Sequence, residues 1–198
     1  MRRLKKFFIV PVLGIFFFTI FAATFINSDS TLKKYDNFAL YDYNNNLHNL
    51  NDYKESKAIV IMFIATQCPV SNAYNGRMEN LYNDYKDKSI SFIGINSNKQ
   101  ESIEEIKEHA KDNKLEFTIL KDSNNVIADK FSAGHTPEIY VLNNNFEQLY
   151  HGRIDDSRRE ENVTVQDLRN ALDEILADKE VSVKETKAFG CSIKRVEN

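Results

Sequence analysis

A buried strand that runs almost directly into a cysteine and a proline constrains the fold of this chain more than any other feature. Residues 58–65 form an apolar run without polar alternation, which is typical of a central strand covered on both faces. Cys68 and Pro69 follow, and proline is favoured at the first position of a helix because its missing N–H would have no partner there. The sequence therefore predicts a strand, a short loop, and a helix with Cys68 as its N-cap.

Hydrophobic periodicity extends this unit into an α/β domain. Apolar residues three and four apart predict one helix from Pro69 to about Lys86. Further strands are predicted at 90–96 and 117–120, a helix at 125–131, and two hairpins whose turns are the Asn runs at 44–46 and 143–145. Strands that alternate with helices imply an α/β sandwich with a central mixed β-sheet flanked by helices.

Two further helices carry N-terminal signatures. Ser102 and Glu105 match a capping box, which predicts a helix with Ile103 on its buried face. Thr164 is expected to cap the last long helix, with Val165 on its apolar side. The residues after that helix form a tail in which Cys191 is the chemically distinctive side chain.

The N-terminus is expected to direct the rest of the chain out of the cytoplasm. Residues 7–26 contain no ionisable group and follow four basic residues, and a helix of that length spans about 30 Å, the thickness of a bilayer core. A membrane anchor and a cleaved signal peptide both fit residues 1–26. We expect a tether at 27–34 and an exported domain at 35–198, on the periplasmic side and held to the inner membrane. In such oxidising surroundings two cysteines can form a disulfide.

Charge and composition exclude several classes of function. The formal net charge is −3, with 26 basic and 29 acidic residues. Without the four bases of residues 1–26, the remaining 22 bases and 29 acids give −7, which offers no electrostatic case for binding nucleic acid. Two cysteines are too few for a disulfide framework or an all-cysteine zinc site, and the four histidines show no metal-ligand spacing. No metal or cofactor is expected.

Cys68 is the residue best placed for chemistry. An N-cap sulfur faces free backbone N–H groups and the positive end of the helix dipole, and both favour the reactive thiolate. Ser71 stands where a Cys-x-x-Cys motif would have its second cysteine, and its hydroxyl is expected to hydrogen-bond the thiolate. Three roles remain open for Cys191, the second of two cysteines: a resolving thiol, a partner in a structural disulfide, or a small buried side chain.

A second proline begins a predicted strand much later in the chain. Pro137 follows Thr136, and a proline that enters a strand is tolerated at a cis bond or at a sheet edge. A cis bond would turn the Thr136 backbone toward whatever lies opposite. His135 would then lie near Cys68 if Pro137 does, whereas an ordinary trans proline at an edge strand remains the alternative.

Together these motifs resemble the thioredoxin superfamily, and more closely its peroxiredoxin-like redoxins of the AhpC/TSA type. The resemblance covers roughly residues 35–195. It implies a thioredoxin-like fold, Cys68 as the reactive thiol, Pro137 as the cis-proline and Cys191 as a candidate partner. The matching segments are Cys68-Pro-Val-Ser-Asn-Ala-Tyr, Thr136-Pro-Glu, Gly152-Arg-Ile-Asp-Asp, Asp167-Leu-Arg-Asn-Ala-Leu and Gly190-Cys-Ser-Ile-Lys.

One departure from that pattern bears on the kind of reaction. Peroxiredoxins carry a proline seven residues, and a threonine or serine three residues, before the peroxidatic cysteine. This chain has Ile61 and Ala65 at those positions, so the hydroxyl that orients peroxide is missing. Thr66 and Gln67 are candidates to replace it, and peroxidase activity is a weaker expectation than thiol–disulfide exchange.

Arg153 lies in a charged loop after the second predicted hairpin, and two roles are open for it. It would stabilise a thiolate at Cys68 if the loop folds over the site. Otherwise it pairs with Asp155 or Asp156, which are expected to belong to a solvated loop rather than to act as paired catalytic acids.

The sequence therefore predicts an extracytoplasmic thiol–disulfide oxidoreductase or a peroxiredoxin-like antioxidant protein that acts through Cys68, with Cys191 closing the cycle. Its partners would be a protein disulfide or a peroxide, a thiol electron donor, and the membrane through residues 7–26. Two alternatives from other classes stay open. One is copper delivery of the Sco type, with Cys68 and His135 as the available ligands, and the other is a non-catalytic docking module.

Overall fold

A seven-stranded mixed sheet organises the protein, whose computed structural model describes residues 32–197. The strands are β1 (Ala39–Asp42), β2 (Leu47–Asn49), β3 (Ala58–Ile64), β4 (Ile90–Asn96), β5 (Thr118–Lys121), β6 (His135–Thr136), β7 (Glu138–Leu142), β8 (Gln148–Gly152) and β9 (Cys191–Ser192). The helices are α1 (Pro69–Asn72), α2 (Asn75–Tyr85), α3 (Ile103–Asp112), α4 (Val126–Phe131) and α5 (Asp167–Leu176), with 3-10 turns at Leu50–Tyr53 and Glu160–Asn162.

The order of the strands confirms the predicted α/β fold. The sheet runs β2-β1-β5-β4-β3-β7-β8, and β6 pairs with β9 in a separate two-stranded sheet. The pairs β3–β4 and β4–β5 are parallel, while the two hairpins β1–β2 and β7–β8 and the contacts β1–β5 and β3–β7 are antiparallel. This is a thioredoxin-like arrangement in which helices cover a central mixed sheet.

The central strand divides the core into two clusters. Every residue of β3 is buried, and alternate side chains point to opposite faces of the sheet. One face packs against α2, α3 and α5, and the other packs against α4 and the segment before β1. Complete burial of a large apolar side chain stabilises the fold by roughly 1.5–3 kcal/mol. The end of β3, from which the site is built, is therefore a rigid platform.

The helix predicted from Pro69 to about Lys86 is wrong in one respect, because it is interrupted. The chain forms α1, then turns at Ala73 and Tyr74, and continues as α2. At the turn the amide of Ala73 donates to the carbonyl of Val70 at 3.2 Å, which is a tighter three-residue step than an α-helix allows. Of the apolar residues whose spacing predicted the helix, Val70 is only partly buried, and the later ones are buried, namely Tyr74, Met78, Leu81 and Tyr85.

Two helix starts also differ from the prediction. The capping box of Ser102 is present and opens α3, but Ile103 is 42% exposed because it lies at the first helical position, away from the sheet. In α5 the helix begins only at Asp167, with Gln166 at the N-cap. The Thr164 hydroxyl instead donates to the Asp156 carboxylate, and Thr164 therefore does not cap α5.

The predicted membrane anchor or signal segment at 1–26, and residues 27–31 of the predicted tether, lie outside the described residues. Between residues 32 and 197 no helix has both the length and the apolar character that crossing a bilayer requires.

Candidate active site

Cys68 lies between the buried strand and the first short helix, as the sequence predicts. Its Sγ accepts a hydrogen bond from the backbone N–H of Ser71 at 3.3 Å, and its backbone adopts the extended conformation of an N-cap residue. Pro69 occupies the first helical position. Cys68 is only 3% exposed. A hydrogen bond from an N–H to sulfur stabilises the charge of a thiolate, so the local structure favours the reactive form of this side chain.

Ser71 acts through its backbone rather than through the predicted hydroxyl contact. Its side chain is fully buried, and Oγ accepts a hydrogen bond from the backbone N–H of Ala65 at 3.2 Å. The hydroxyl therefore fixes the loop between β3 and α1, while the backbone N–H of the same residue bonds the sulfur. The expected bond from the hydroxyl to Cys68 is not found in the disulfide form between residues 32 and 197, where the backbone N–H of Ser71 bonds the sulfur instead.

Glu101 organises the same loop, and sequence reasoning missed it. Its carboxylate is 1% exposed and accepts from the backbone N–H of Thr66 at 2.8 Å and of Gln67 at 3.1 Å. The side-chain amides of Asn96 and Asn98 donate to the same two oxygens. Four donors thus surround one buried carboxylate, which satisfies its charge and fixes the backbone just before Cys68.

A lysine lies close to this carboxylate network. The Nζ of Lys121 donates to Asn96 Oδ1 at 3.0 Å and to the carbonyl of Asn98 at 2.7 Å. Burial lowers the pKa of Lys121, while the carboxylates of Glu101 and Asp122 act in the opposite direction. The only sequence signal for Glu101 is its place directly before the capping-box serine, which does not reveal burial.

The Thr136–Pro137 peptide bond is cis, so the trans alternative is rejected. The carbonyl oxygen of Thr136 lies 3.3 Å from Cys68 Sγ. In the reduced protein the Cys68 thiol can donate to that carbonyl, and the thiolate can accept from Ser71. The proline loop and the N-cap cysteine therefore face each other across the site.

Cys191 reaches this site from the C-terminal tail and forms a disulfide with Cys68. The two Cα atoms are 5.9 Å apart, although the residues are separated by 123 positions in sequence. Cys191 lies in β9, directly opposite Thr136 of β6. A Cβ at Gly190 would collide with the Thr136 carbonyl, so glycine permits this close approach. Of the three roles left open for Cys191, that of an unpaired buried side chain is excluded.

The side chains of Thr66, Thr136 and Gln67, which were also predicted as site residues, make no hydrogen bond to Cys68 Sγ between residues 32 and 197. Thr66 Oγ1 is buried and, among the described residues, has no hydrogen-bond partner, and the same holds for Thr136 Oγ1. The side chain of Gln67 is exposed and donates to Glu105 Oε1 at 2.9 Å, away from the sulfur. Of the two candidates to replace the missing peroxide-orienting hydroxyl, Thr66 is therefore the one whose side-chain polar group is buried.

Arg153 plays neither of its predicted roles. Its Nε donates to Asp167 Oδ2 at 2.7 Å, and the pKa of Arg153 is raised chiefly by this hydrogen bond. Asp155 is not solvated either: it is 3% exposed and pairs with Arg77 at 2.5 Å. The loop of Arg153 is thus tied to α5 and α2 by buried ion pairs that a sequence pattern does not reveal.

Glu138, directly after the cis-proline, is a second buried carboxylate that sequence reasoning missed. It accepts from the backbone N–H groups of Gly134 and His135, from Tyr140 Oη and from His151 Nε2, at 2.7–3.0 Å. Burial raises the pKa of Glu138, but these hydrogen bonds, led by the one from His151, outweigh it and bring the pKa to about 2. The anionic carboxylate therefore pins the chain on both sides of Thr136 and Pro137.

His135 faces this carboxylate rather than the sulfur. Its side chain is 47% exposed, and Nδ1 lies 3.8 Å from Glu138 Oε2. Within residues 32–197 no group of three or more histidine, cysteine, aspartate or glutamate side chains is arranged to hold a metal ion.

A family model described as the AhpC/TSA family matches residues 32–154. The chain belongs to this family. The predicted membership of the redoxins of the thioredoxin superfamily is thereby confirmed, and it agrees with a thiol-dependent oxidoreductase. A curated relative, the thiol-disulfide oxidoreductase ResA of Oceanobacillus iheyensis, is 25% identical over 102 residues, which cover 50% of this chain and 52% of the relative. The chain thus spans about half the length of the curated relative that it matches.

Two solved structures resemble the chain over most of its length. An uncharacterized conserved protein from Geobacillus kaustophilus is 34% identical, with a TM-score of 0.80, and the match covers 84% of this chain and 93% of that one. A hypothetical protein from Sinorhizobium meliloti 1021 is 28% identical, with a TM-score of 0.79, and the match covers 84% and 95%. Their names assign no activity, so function rests on the site itself.

Proposed function

We propose that this chain is a thiol–disulfide oxidoreductase whose redox-active pair is Cys68 and Cys191. The observation that carries the proposal is the disulfide between an N-cap cysteine and a tail cysteine at the carbonyl of Thr136. Ser71 N–H stabilises one of the two sulfurs as a thiolate, which makes that sulfur a good nucleophile and a good leaving group. The name of the Oceanobacillus iheyensis relative supports the same activity.

The reaction transfers two electrons between this pair and a partner. When a partner disulfide is reduced, one thiolate of the pair attacks a partner sulfur, and the partner S–S bond breaks with its electron pair on the other partner sulfur. The second thiolate of the pair then attacks the mixed disulfide, closes the Cys68–Cys191 bond and releases the second partner thiolate. Both released thiolates take protons from water, so the partner gains two electrons and the pair loses two.

The test compares catalysis with and without the pair. We expect the full-length chain to accelerate reduction of insulin disulfides by dithiothreitol, and the Cys68→Ser variant to lose that acceleration. Ser192→Ala, which changes an exposed neighbour of Cys191 in the same strand, is the matched control and should keep it. Full activity in a variant that lacks both cysteines would contradict the proposed function.

Peroxide reduction is a second candidate, and the buried hydroxyl of Thr66, two residues before Cys68 in sequence, favours it. In this reaction the Cys68 thiolate attacks a peroxide oxygen, the O–O bond breaks, and the sulfur becomes a sulfenic acid while an alcohol or water leaves. The Cys191 thiol then displaces water and forms the disulfide. If one equivalent of hydrogen peroxide oxidises Cys68 no faster than a free thiol, this candidate is wrong.

We further propose that the domain works outside the cytoplasm, tethered through residues 7–26. The proposal rests on the uncharged apolar run and the four bases that precede it. A disulfide in the domain is also expected in an oxidising compartment. Fusion of alkaline phosphatase after residue 197 should give an active reporter, since that enzyme folds only where disulfides form. N-terminal sequencing of the mature protein separates an anchor from a cleaved signal.

A further inference from the structure

The two cysteines of the disulfide differ in their exposure to solvent. Cys68 is 3% exposed, whereas Cys191 is partly exposed and its neighbour Ser192 is exposed. Thiol–disulfide exchange requires the attacking sulfur to reach the sulfur that it will bond. A thiol carried by a polypeptide can therefore reach Cys191 in the oxidised protein, while Cys68 is covered.

The cover over Cys68 is held by contacts other than the disulfide. We call residues 181–197 the tail strap. Its two flanks carry buried apolar side chains, Val181 and Ile193, and both flanks are hydrogen-bonded to the domain. These bonds are His151 N to Lys184 O, Thr186 N to His151 O, Ile193 N to Gly134 O, Lys99 N to Lys194 O, Lys194 N to Asn98 Oδ1 and Val196 N to Asn125 Oδ1, all at 2.7–3.0 Å.

None of these bonds uses a sulfur atom, so reduction of the disulfide breaks none of them directly. The tail strap is hydrogen-bonded to the domain on both sides of Cys191, so its docking does not depend on the disulfide alone. We therefore expect Cys68 to stay covered in the dithiol form as it is in the disulfide form, and Cys191 to remain the cysteine that a large partner meets.

The environment of the two sulfurs also fixes which one leaves. Exchange is faster when the departing sulfur is the better-stabilised thiolate. Cys68 Sγ receives the Ser71 N–H at 3.3 Å, and no hydrogen bond to Cys191 Sγ is found within residues 32–197. Attack on Cys191 thus expels Cys68 Sγ, the sulfur that receives a backbone hydrogen bond as a thiolate.

We propose, resting on the oxidoreductase function above, that Cys191 is the partner-facing sulfur and that Cys68 is the internal one. A thiolate of a dithiol polypeptide attacks Cys191 Sγ and forms a mixed disulfide. The Cys68–Cys191 bond breaks, and its electron pair stays on Cys68 Sγ. The second thiolate of the partner then attacks its own half of the mixed disulfide and releases Cys191 as a thiolate, which takes a proton from water. The partner leaves as a disulfide, and the pair has gained two electrons.

This assignment reverses the order expected from the sequence, in which Cys68 meets the partner and Cys191 closes the cycle. By microscopic reversibility, a disulfide polypeptide that is reduced by the pair is attacked first by Cys191, and Cys68 then resolves the mixed disulfide. The partner class is a polypeptide with two cysteines close enough to form a disulfide, because its second thiol resolves the mixed disulfide within one molecule, whereas a monothiol needs a second molecule to do so.

Adduct mapping tests the assignment on the full-length chain. The oxidised protein is mixed with glutathione and quenched with acid at short times, and its peptides are analysed by mass spectrometry without reduction. We expect glutathione on Cys191 in at least about tenfold excess over Cys68, which corresponds to about 1.4 kcal/mol in activation free energy. Equal adducts, or an excess on Cys68, would overturn the assignment while leaving the oxidoreductase function intact.

Two further results separate the possible failures. If the oxidised protein contains no Cys68–Cys191 disulfide, or if glutathione does not open it, the proposed function itself fails along with the assignment.

Hydrogen exchange tests, without any variant, whether the tail strap still covers Cys68 after reduction. The amides of Ile193, Lys194 and Val196 should stay protected after reduction, and their loss of protection would show that Cys68 becomes accessible and would refute the assignment.

Discussion

The buried carboxylate of Glu101 allows the sharpest test of how the site is held together. Its two oxygens accept four hydrogen bonds, two of them from the loop amides that precede Cys68. In Glu101→Gln one oxygen becomes an NH₂ group, which cannot accept a hydrogen bond. Two of the four donors then face a donor instead of an acceptor, whichever way the amide is turned.

The magnitude follows from those two lost bonds. Hydrogen bonds to a charged group contribute about 1.5–3 kcal/mol each, so their loss alone amounts to about 3–6 kcal/mol. The neutral amide no longer carries the desolvation cost of a buried carboxylate, which offsets part of that loss. We therefore expect the free energy of unfolding to fall by about 2–4 kcal/mol.

Urea unfolding of the oxidised protein measures this change, with Glu104→Gln as the matched control. Glu104 is exposed in the first turn of α3, three residues after Glu101, and Glu104→Gln removes the same charge, so its effect should stay within about 0.5 kcal/mol. The rate at which air or glutathione disulfide closes the Cys68–Cys191 bond should also fall in Glu101→Gln, because the loop before Cys68 loses its anchors. If the two variants lose equal stability, the carboxylate does not organise the loop.

Three other substitutions have separate outcomes. The pKa of Glu138 is about 2, below the 4.5 of an unperturbed glutamate. Its carboxylate therefore stabilises the fold above about pH 4.5, and this contribution is lost as the pH falls toward 2. When unfolding free energies are measured across this pH range, Glu138→Gln should remove about 3 kcal/mol of the pH dependence. Ser71→Ala leaves the buried amide of Ala65 unpaired and should cost about 1–3 kcal/mol in urea unfolding. Gly190→Ala places a Cβ against the backbone of Thr136 and Pro137, which opposes the pairing of β9 with β6. In glutathione buffers the equilibrium between disulfide and dithiol should therefore shift toward the dithiol by about tenfold. An unchanged equilibrium would mean that this strand pairing does not affect the stability of the disulfide.

The sheet could be predicted from the sequence because its signals are local. The uninterrupted apolar run of β3, the Asn-rich turns and the capping box of Ser102 each specify an element without reference to the rest of the chain. The break between α1 and α2 has no such signal, since an apolar stripe continues across Tyr74. The exposure of Ile103 likewise depends on where the helix axis lies over the sheet, which no spacing rule contains.

The candidate site was predictable only in its sulfurs and its proline. Cys68 and Pro137 can be recognised from their residue type at the boundary of a predicted element. Glu101 and Glu138 cannot be distinguished from surface acids in the sequence, because their burial depends on the folded structure. Arg153 shows the converse, since a basic residue that was a candidate to stabilise the thiolate pairs with Asp167 instead. Burial and long-range pairing decide these roles, and both depend on the assembled sheet.

The distance between the two cysteines in sequence couples the redox state to the docking of the tail. In a motif with both cysteines on one helix, the second sulfur is supplied by local geometry. Here Cys191 is brought to Cys68 by the tail strap, whose hydrogen bonds set the effective concentration of one sulfur at the other. By linkage, each contact that holds the tail strap favours the disulfide, and the disulfide stabilises the docked strap by the same free energy. A partner that binds the tail strap can therefore change the reduction potential of the pair without touching either sulfur.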